Sequence, residues 1–450
     1  MTARTRRLTL VAIALATALV LFVFSTQTEP YHTNATRIGD CVGAASSSPS
    51  CRMAVYQDHG DFDVAFAEYT DRGNAQDARR IEAVLAQIGA RAAPDANGAV
   101  VITFIHGWKH NAHEEDSNLV DFKKILAGLA AAGVTGERRL IGLYVGWRGE
   151  SLDLRWANNL TFWDRKQVAE EVGRGGVTRL LLELDRIDAA RDDNILVVIG
   201  HSFGGAITLS ALSDVLTGRV VQRTARRRYA ASIADGIIVL NPAIEANQAL
   251  HLVEAALEED YRPEQHPLFV SISSDADRAT HWVFPAGQTV GLLLTWRQSD
   301  LTRSYLVDRT QPGVPQVLKE EHLDATTVGN FAPFLTHRMT FNDTDSEPTI
   351  ELAACETVPQ ACEPHGWTTL GGQPTIDPKP ANFPLFFIKT DASVMNGHND
   401  IFNPKMQAFL QILIDDVVAR GGAAKPAPSI LRQPEQAGRR ATQTYRSLEP

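Results

Sequence analysis

The sequence predicts an α/β protein: a mostly parallel sheet flanked by helices, with an insertion ahead of its last strand. Three observations carry this. Short apolar runs alternate with longer helical patterns across short turns, the signature of a sheet covered on both faces. The run Asn194-Ile195-Leu196-Val197-Val198-Ile199 passes directly into Gly200-His201-Ser202-Phe203-Gly204-Gly205, a strand turning sharply into a helix. A chain of 450 residues that is 44% hydrophobic can also bury a large core.

The elements follow in order. Arg4, Arg6 and Arg7 precede an apolar run from Leu8 to Phe24, a basic head and apolar stretch that predict an export signal. Seventeen helical residues span about 26 Å, near the hydrocarbon thickness of a bilayer. Residues 1–24 are therefore expected to remain as a membrane anchor or to be removed as a signal peptide. The positive-inside rule places the body of the chain outside the cytoplasm in the first case. In the second it is secreted or periplasmic. Residues 25–51 form a polar stalk, and residues 52–420 the folded domain. Met53-Ala54-Val55-Tyr56 and Phe62-Asp63-Val64-Ala65-Phe66, joined across Asp58-His59-Gly60, predict an antiparallel hairpin.

Strands are expected at about 100–105, 140–146, 195–199, 236–240, 268–272 and 384–388, and helices at about 75–90, 117–132, 164–189, 204–217, 245–259 and 404–419. The last helix has a sound start, with Asn403 as cap and Pro404 in the first turn. Residues 281–380 break the rhythm. Trp282, Phe284, Leu292-Leu293-Leu294, Trp296, Phe331 and Phe334 within them line either a lid or an extra packed layer. The proline-rich, polar tail 421–450 reads as disordered.

The chemistry gathers where strands end. Ser202 sits in the strand-to-helix turn, a geometry that exposes a strained serine as a nucleophile, with glycines where a Cβ would collide with neighbours. The strand Pro267 to Ser274 leads into Asp275-Ala276-Asp277-Arg278, which supplies an acid. The strand Pro384 to Ile388 precedes Asn396-Gly397-His398, which supplies a histidine in the chain order serine, acid, histidine. After Val100 to Ile105, the turn His106-Gly107-Trp108 places the Trp108 N–H, with that of Phe203, as donors to a developing oxyanion.

Four cysteines fall into two local pairs, Cys41 with Cys51 and Cys355 with Cys362, which predicts two small disulfide loops and agrees with export. Neither pair has zinc-knuckle spacing. His106, His110 and His113 with Glu114 and Glu115 do not make the two-histidine helical zinc motif, so no metal is expected. No cofactor is expected either: Gly173-Arg174-Gly175-Gly176 lacks dinucleotide-binding spacing, and Gly200 to Gly205 has no phosphate-binding lysine. A formal charge of −10 argues against a nucleic-acid partner.

Phe104 to Ala112, Tyr144 to Gly149, Thr161 to Lys166, Gly200 to Gly205 and Gly397 to Phe402 together resemble an exported subgroup of α/β-hydrolase fold, esterase- and lipase-like serine hydrolases. The stretches span most of residues 100–405, with little match between 281 and 380. The resemblance implies the α/β-hydrolase fold, a serine, acid and histidine triad, and a small-molecule or lipid ester as substrate. It implies Asp277 as the acid, two residues before Ala279-Thr280. Arg278 stands where an apolar residue is more usual, which keeps Asp275 as the alternative. The expected activity is hydrolysis of carboxylic esters through an acyl-enzyme. The alternatives are acyl transfer or peptide cleavage with the same groups, or a non-catalytic binding protein on this fold.

Overall fold

The computed structural model describes residues 3–24, 29–35, 48–149, 162–221, 232–259, 261, 265–280, 284, 300–307, 315–341, 348–352 and 383–420. The apolar N-terminal run is helical, α1 (Ala3–Phe24). Among the described residues no helix is long and apolar enough to cross a membrane. A one-turn helix, α2 (Pro49–Arg52), carries Cys51, which is disulfide-bonded. Its expected partner Cys41, the pair Cys355 and Cys362, and the tail 421–450 lie outside the described residues.

The expected hairpin forms as β1 (Tyr56–Asp58) and β2 (Phe62–Glu68). The alternating succession follows: α3 (Ala78–Arg91), β3 (Ala99–Ile105), α4 (Ser117–Ala131), β4 (Arg139–Gly146), α5 (Phe162–Val172), α6 (Thr178–Asp188), β5 (Ile195–His201), α7 (Phe203–Val221), β6 (Gly236–Leu240), α8 (Leu250–Leu257) and β7 (Phe269–Ser274). After β8 (Asp300–Val307), β9 (Pro315–Lys319) and α9 (Glu320–Ala325) come β10 (His337–Thr340), β11 (Thr349–Leu352), β12 (Leu385–Thr390) and α10 (Pro404–Arg420).

The described strands build a ten-stranded sheet in the order β1-β2-β4-β3-β5-β6-β7-β12-β10-β11. Only its two outermost pairs, β1 with β2 and β10 with β11, are antiparallel; the rest run parallel. Alternation along each strand divides the core into two layers. Val101, Ile105, Val198 and Val239 face a layer completed by α3, α6, α7 and α8. Val100, Ile102, Phe104, Val197 and Ile199 face the other, closed by Leu119 and Phe122 of α4 and Met406, Phe409 and Leu413 of α10. β3 and β5 lie side by side in the centre, and β4 returns on the far side of β3. The carboxyl ends of the parallel strands thus open onto one rim, where ligands bind in sheets of this kind.

One expectation needs correction. The single helix over 164–189 is interrupted at Gly173–Val177, where Gly175 leaves helical geometry (φ −92°, ψ −122°). The backbone there comes too close to its neighbours for side chains: a Cβ on Gly176 would lie 2.3 Å from the Tyr69 ring and 2.6 Å from the Gly73 carbonyl. Among the described residues of 281–380, β10 and β11 extend the main sheet, β8 and β9 form a separate antiparallel pair, and Phe284, Phe331 and Phe334 are buried in the core. Trp282, Leu292-Leu293-Leu294 and Trp296 lie outside the described residues.

Candidate active site

The turn between β5 and α7 is as tight as its glycines imply. A Cβ on Gly204 would lie 1.9 Å from the Ile105 carbonyl oxygen, and one on Gly200 would lie 2.4 Å from Thr208 Oγ1. Ser202 is held in the left-handed region at φ 55°, which costs a residue with a Cβ about 1–3 kcal/mol. Among the described residues only Lys109 (φ 67°) and Asn241 (φ 43°) share that conformation without being glycine. All three follow neighbouring central strands: Lys109 after β3, Ser202 after β5 and Asn241 after β6.

Ser202 meets His398 and Asp277 in one hydrogen-bonded row. His398 Nδ1 lies 2.8 Å from Asp277 Oδ2, and His398 Nε2 lies 2.7 Å from Ser202 Oγ. Asp277 is fully buried. Burial alone pushes its carboxyl up, but hydrogen bonds from His398 and Thr280 outweigh that and hold it below the usual carboxylate range. It accepts from Thr280 Oγ1 at 2.6 Å and from the Ala279 N–H at 2.8 Å. An ionised Asp277 can only accept, so the His398 proton sits on Nδ1 and Nε2 receives the Ser202 hydroxyl. Asp275, the alternative acid, points elsewhere. Its side chain is 44% exposed and pairs with Lys389 Nζ at 3.0 Å and with Arg338.

The β3 loop closes against the same serine. Gly107 packs on Ser202, and Trp108 follows it, its ring 6.1 Å from that of Phe203. His106 is a structural neighbour of this loop. Its Nδ1–H donates to the Gly107 carbonyl (2.9 Å), and its Nε2 accepts the Trp147 N–H (3.2 Å). Burial pushes the imidazole down to about 4, so it stays neutral. The other histidines and acids of this stretch are committed separately. His110 faces Asp116, the N-cap of α4; His113 accepts the Glu115 N–H; and Glu114 binds Lys123, Gln57 and His32. Among the described residues no group of three or more histidines, cysteines or acids is arranged to hold a metal ion.

Two side chains that the sequence gave no reason to select converge on His398. The Asn241 amide donates to the His398 carbonyl at 3.1 Å, and its Oδ1 accepts the Ser274 N–H at 3.0 Å. His201 Nε2–H donates to the same carbonyl at 2.9 Å. Both are fully buried, and burial holds the His201 imidazole well below its ordinary range.

No protein-family model matches this chain, and no curated protein matches it in sequence. Among solved structures it is similar to phospholipase PlaB from Legionella pneumophila in complex with thio-NAD, at 13% identity and a TM-score of 0.24. That likeness covers 60% of this chain and 49% of the other, so the chain spans about half the length of that protein.

Proposed function

We propose that this protein is a serine hydrolase of carboxylic esters. The observation that carries the reading is the continuous row Asp277, His398, Ser202, with the serine in left-handed backbone at a strand-to-helix turn. A solvated serine in an ordinary turn needs neither the strain nor the buried carboxylate behind a histidine. In the proposed reaction Ser202 Oγ attacks the ester carbonyl carbon while its proton passes to His398 Nε2. Asp277 keeps the imidazole in its productive tautomer and stabilises the imidazolium. The Trp108 and Phe203 N–H groups stabilise the tetrahedral oxyanion. The imidazolium gives its proton to the departing alkoxide, and water then repeats the sequence on the acyl-enzyme to release the acid. The substrate class is a small-molecule or lipid ester.

The reading includes work outside the cytoplasm. Arg4, Arg6 and Arg7 ahead of the apolar run from Leu8 to Phe24, with the bonded state of Cys51, support export.

Labelling with a fluorophosphonate and turnover of a p-nitrophenyl ester series of increasing chain length test the proposal. Wild-type protein is expected to be labelled at Ser202 and to turn over at least one ester, and Ser202→Ala to do neither while keeping its circular dichroism. Undiminished turnover by Ser202→Ala rejects the reading.

A further inference from the structure

The hydrolase reading assigns His398 a side-chain role and leaves open what fixes the loop that carries it. That loop follows β12 and includes Gly397 at φ 150°. Ser274 Oγ donates to the Met395 carbonyl at 2.6 Å, and Asn403 donates to the Val394 carbonyl at 2.8 Å. Those bonds secure the approach to His398. At His398 itself the main-chain carbonyl receives two buried side-chain donors, from the ends of two other strands: His201 Nε2 and Asn241 Nδ2.

Both donors sit in surroundings that ordinary packing does not explain. Asn241 is fully buried in left-handed backbone, which asparagine tolerates better than most residues. Its amide spans two loops of the site, since its Oδ1 holds Ser274 and the Asp277 N–H in turn donates to the Ser274 carbonyl (3.1 Å). His201 is fully buried with Nδ1 lacking a hydrogen-bond partner among the described residues. An apolar ring would fill the same volume without a bare nitrogen. What the imidazole adds is one N–H, and it reaches one atom, the His398 carbonyl. Its ring centre lies 5.1 Å from that of His398. Kept neutral by burial, it places no second positive charge beside the imidazolium formed during turnover.

We propose that Asn241 and His201 are positioning residues that clamp the His398 main-chain carbonyl and so set the reach of its imidazole toward Ser202. The proposal rests on the hydrolase reading above. Neither residue touches the substrate; both act through His398.

The test is steady-state hydrolysis of p-nitrophenyl butyrate and the rate of fluorophosphonate labelling, with thermal melting recorded in parallel. His201→Phe removes the donor and keeps the volume. Asn241→Asp keeps the acceptor for Ser274 and the tolerance for positive φ while replacing the donor. Each is expected to lower kcat and the labelling rate on the order of a hundredfold, as small misplacements of catalytic groups do, with KM changed little. His201→Gln, whose amide N–H can reach the same carbonyl, is expected to recover most of the loss. In a His398→Ala background the same substitutions are expected to change the residual rate by less than about twofold, because what they position is gone. Wild-type kcat in His201→Phe and Asn241→Asp, beside an inactive Ser202→Ala, overturns the clamp alone. Equal losses with and without His398 overturn it as well, since they point to general damage. Full turnover by Ser202→Ala overturns both readings. Should His201→Phe fail to fold, Asn241→Asp and His201→Gln carry the comparison: wild-type kcat in the former, or a loss in either that persists without His398, overturns the clamp.

Discussion

Gly107 faces Ser202 so closely that a Cβ on the glycine would stand 2.9 Å from the serine Cβ and 3.1 Å from the His201 carbonyl oxygen. The loop after β3 and the turn after β5 are thus pressed together with no room for a methyl group between them. Gly107→Ala is expected to push the Trp108 N–H away from Ser202 and lower kcat by about 10²–10³, the range seen when one oxyanion donor is lost. The protein should still fold, because the loop lies at the rim and can yield. Ester kinetics beside circular dichroism check this, and an unchanged kcat contradicts the assigned donor.

The two aspartates of the β7 loop should separate cleanly. Asp277→Asn removes the buried acceptor that fixes the His398 tautomer and is expected to lower kcat by roughly 10⁴. Asp275→Asn only weakens a half-exposed pairing with Lys389 and Arg338, and turnover should stay within about twofold. Comparing kcat for the two variants at neutral pH decides the assignment.

His32 gives a pH-dependent term remote from the serine. Burial pushes its imidazole down, yet hydrogen bonds to Glu114 and Glu68, at 3.4 Å each, prevail and hold it above the ordinary histidine range. A group raised in the folded state stabilises fully below its unfolded pKa and loses that contribution as pH rises through the folded one. His32→Gln is therefore expected to cost about 1–3 kcal/mol at acidic pH, where the half-buried Glu68 loses a charged partner. The deficit should narrow as the solution becomes alkaline. Urea unfolding at about pH 5.5 and pH 9 reads the difference, and a gap that widens with pH contradicts it.

Gly204→Ala should act on folding more than on chemistry. The added methyl would fall 1.9 Å from the Ile105 carbonyl oxygen, between the first turn of α7 and the end of β3. A loss of about 3 kcal/mol or more is expected, seen as a lowered melting temperature or insoluble expression.

Much of this arrangement could be read from the residues. Central strands such as Val100 to Ile105 and Ile195 to Ile199 are buried on both faces, so they appear as unbroken apolar runs. The Ser202 turn carries its glycines in sequence, and Asn403 accepts the Met406 N–H at the start of α10 as expected. β10 and β11 could not be read in the same way. They have four residues each, His337-Arg338-Met339-Thr340 and Thr349-Ile350-Glu351-Leu352, too short for a period to show. The place of Asp277 two residues before Ala279-Thr280 favours it over Asp275 in the chain, and its burial beside His398, against the exposure of Asp275, separates the two in space. His201 and Asn241 were illegible for another reason: their partner is a main-chain oxygen nearly two hundred and more than one hundred and fifty positions away, respectively, which leaves no side-chain signature.

Lys109, Ser202 and Asn241, the non-glycine residues at positive φ among those described, crowd one end of the sheet, while the two core layers stay regular. Tension gathered at one place makes that place the first to relax on warming. Heat should therefore extinguish ester turnover several degrees before the helices melt, so that a stored sample can retain its whole spectrum and still be inert.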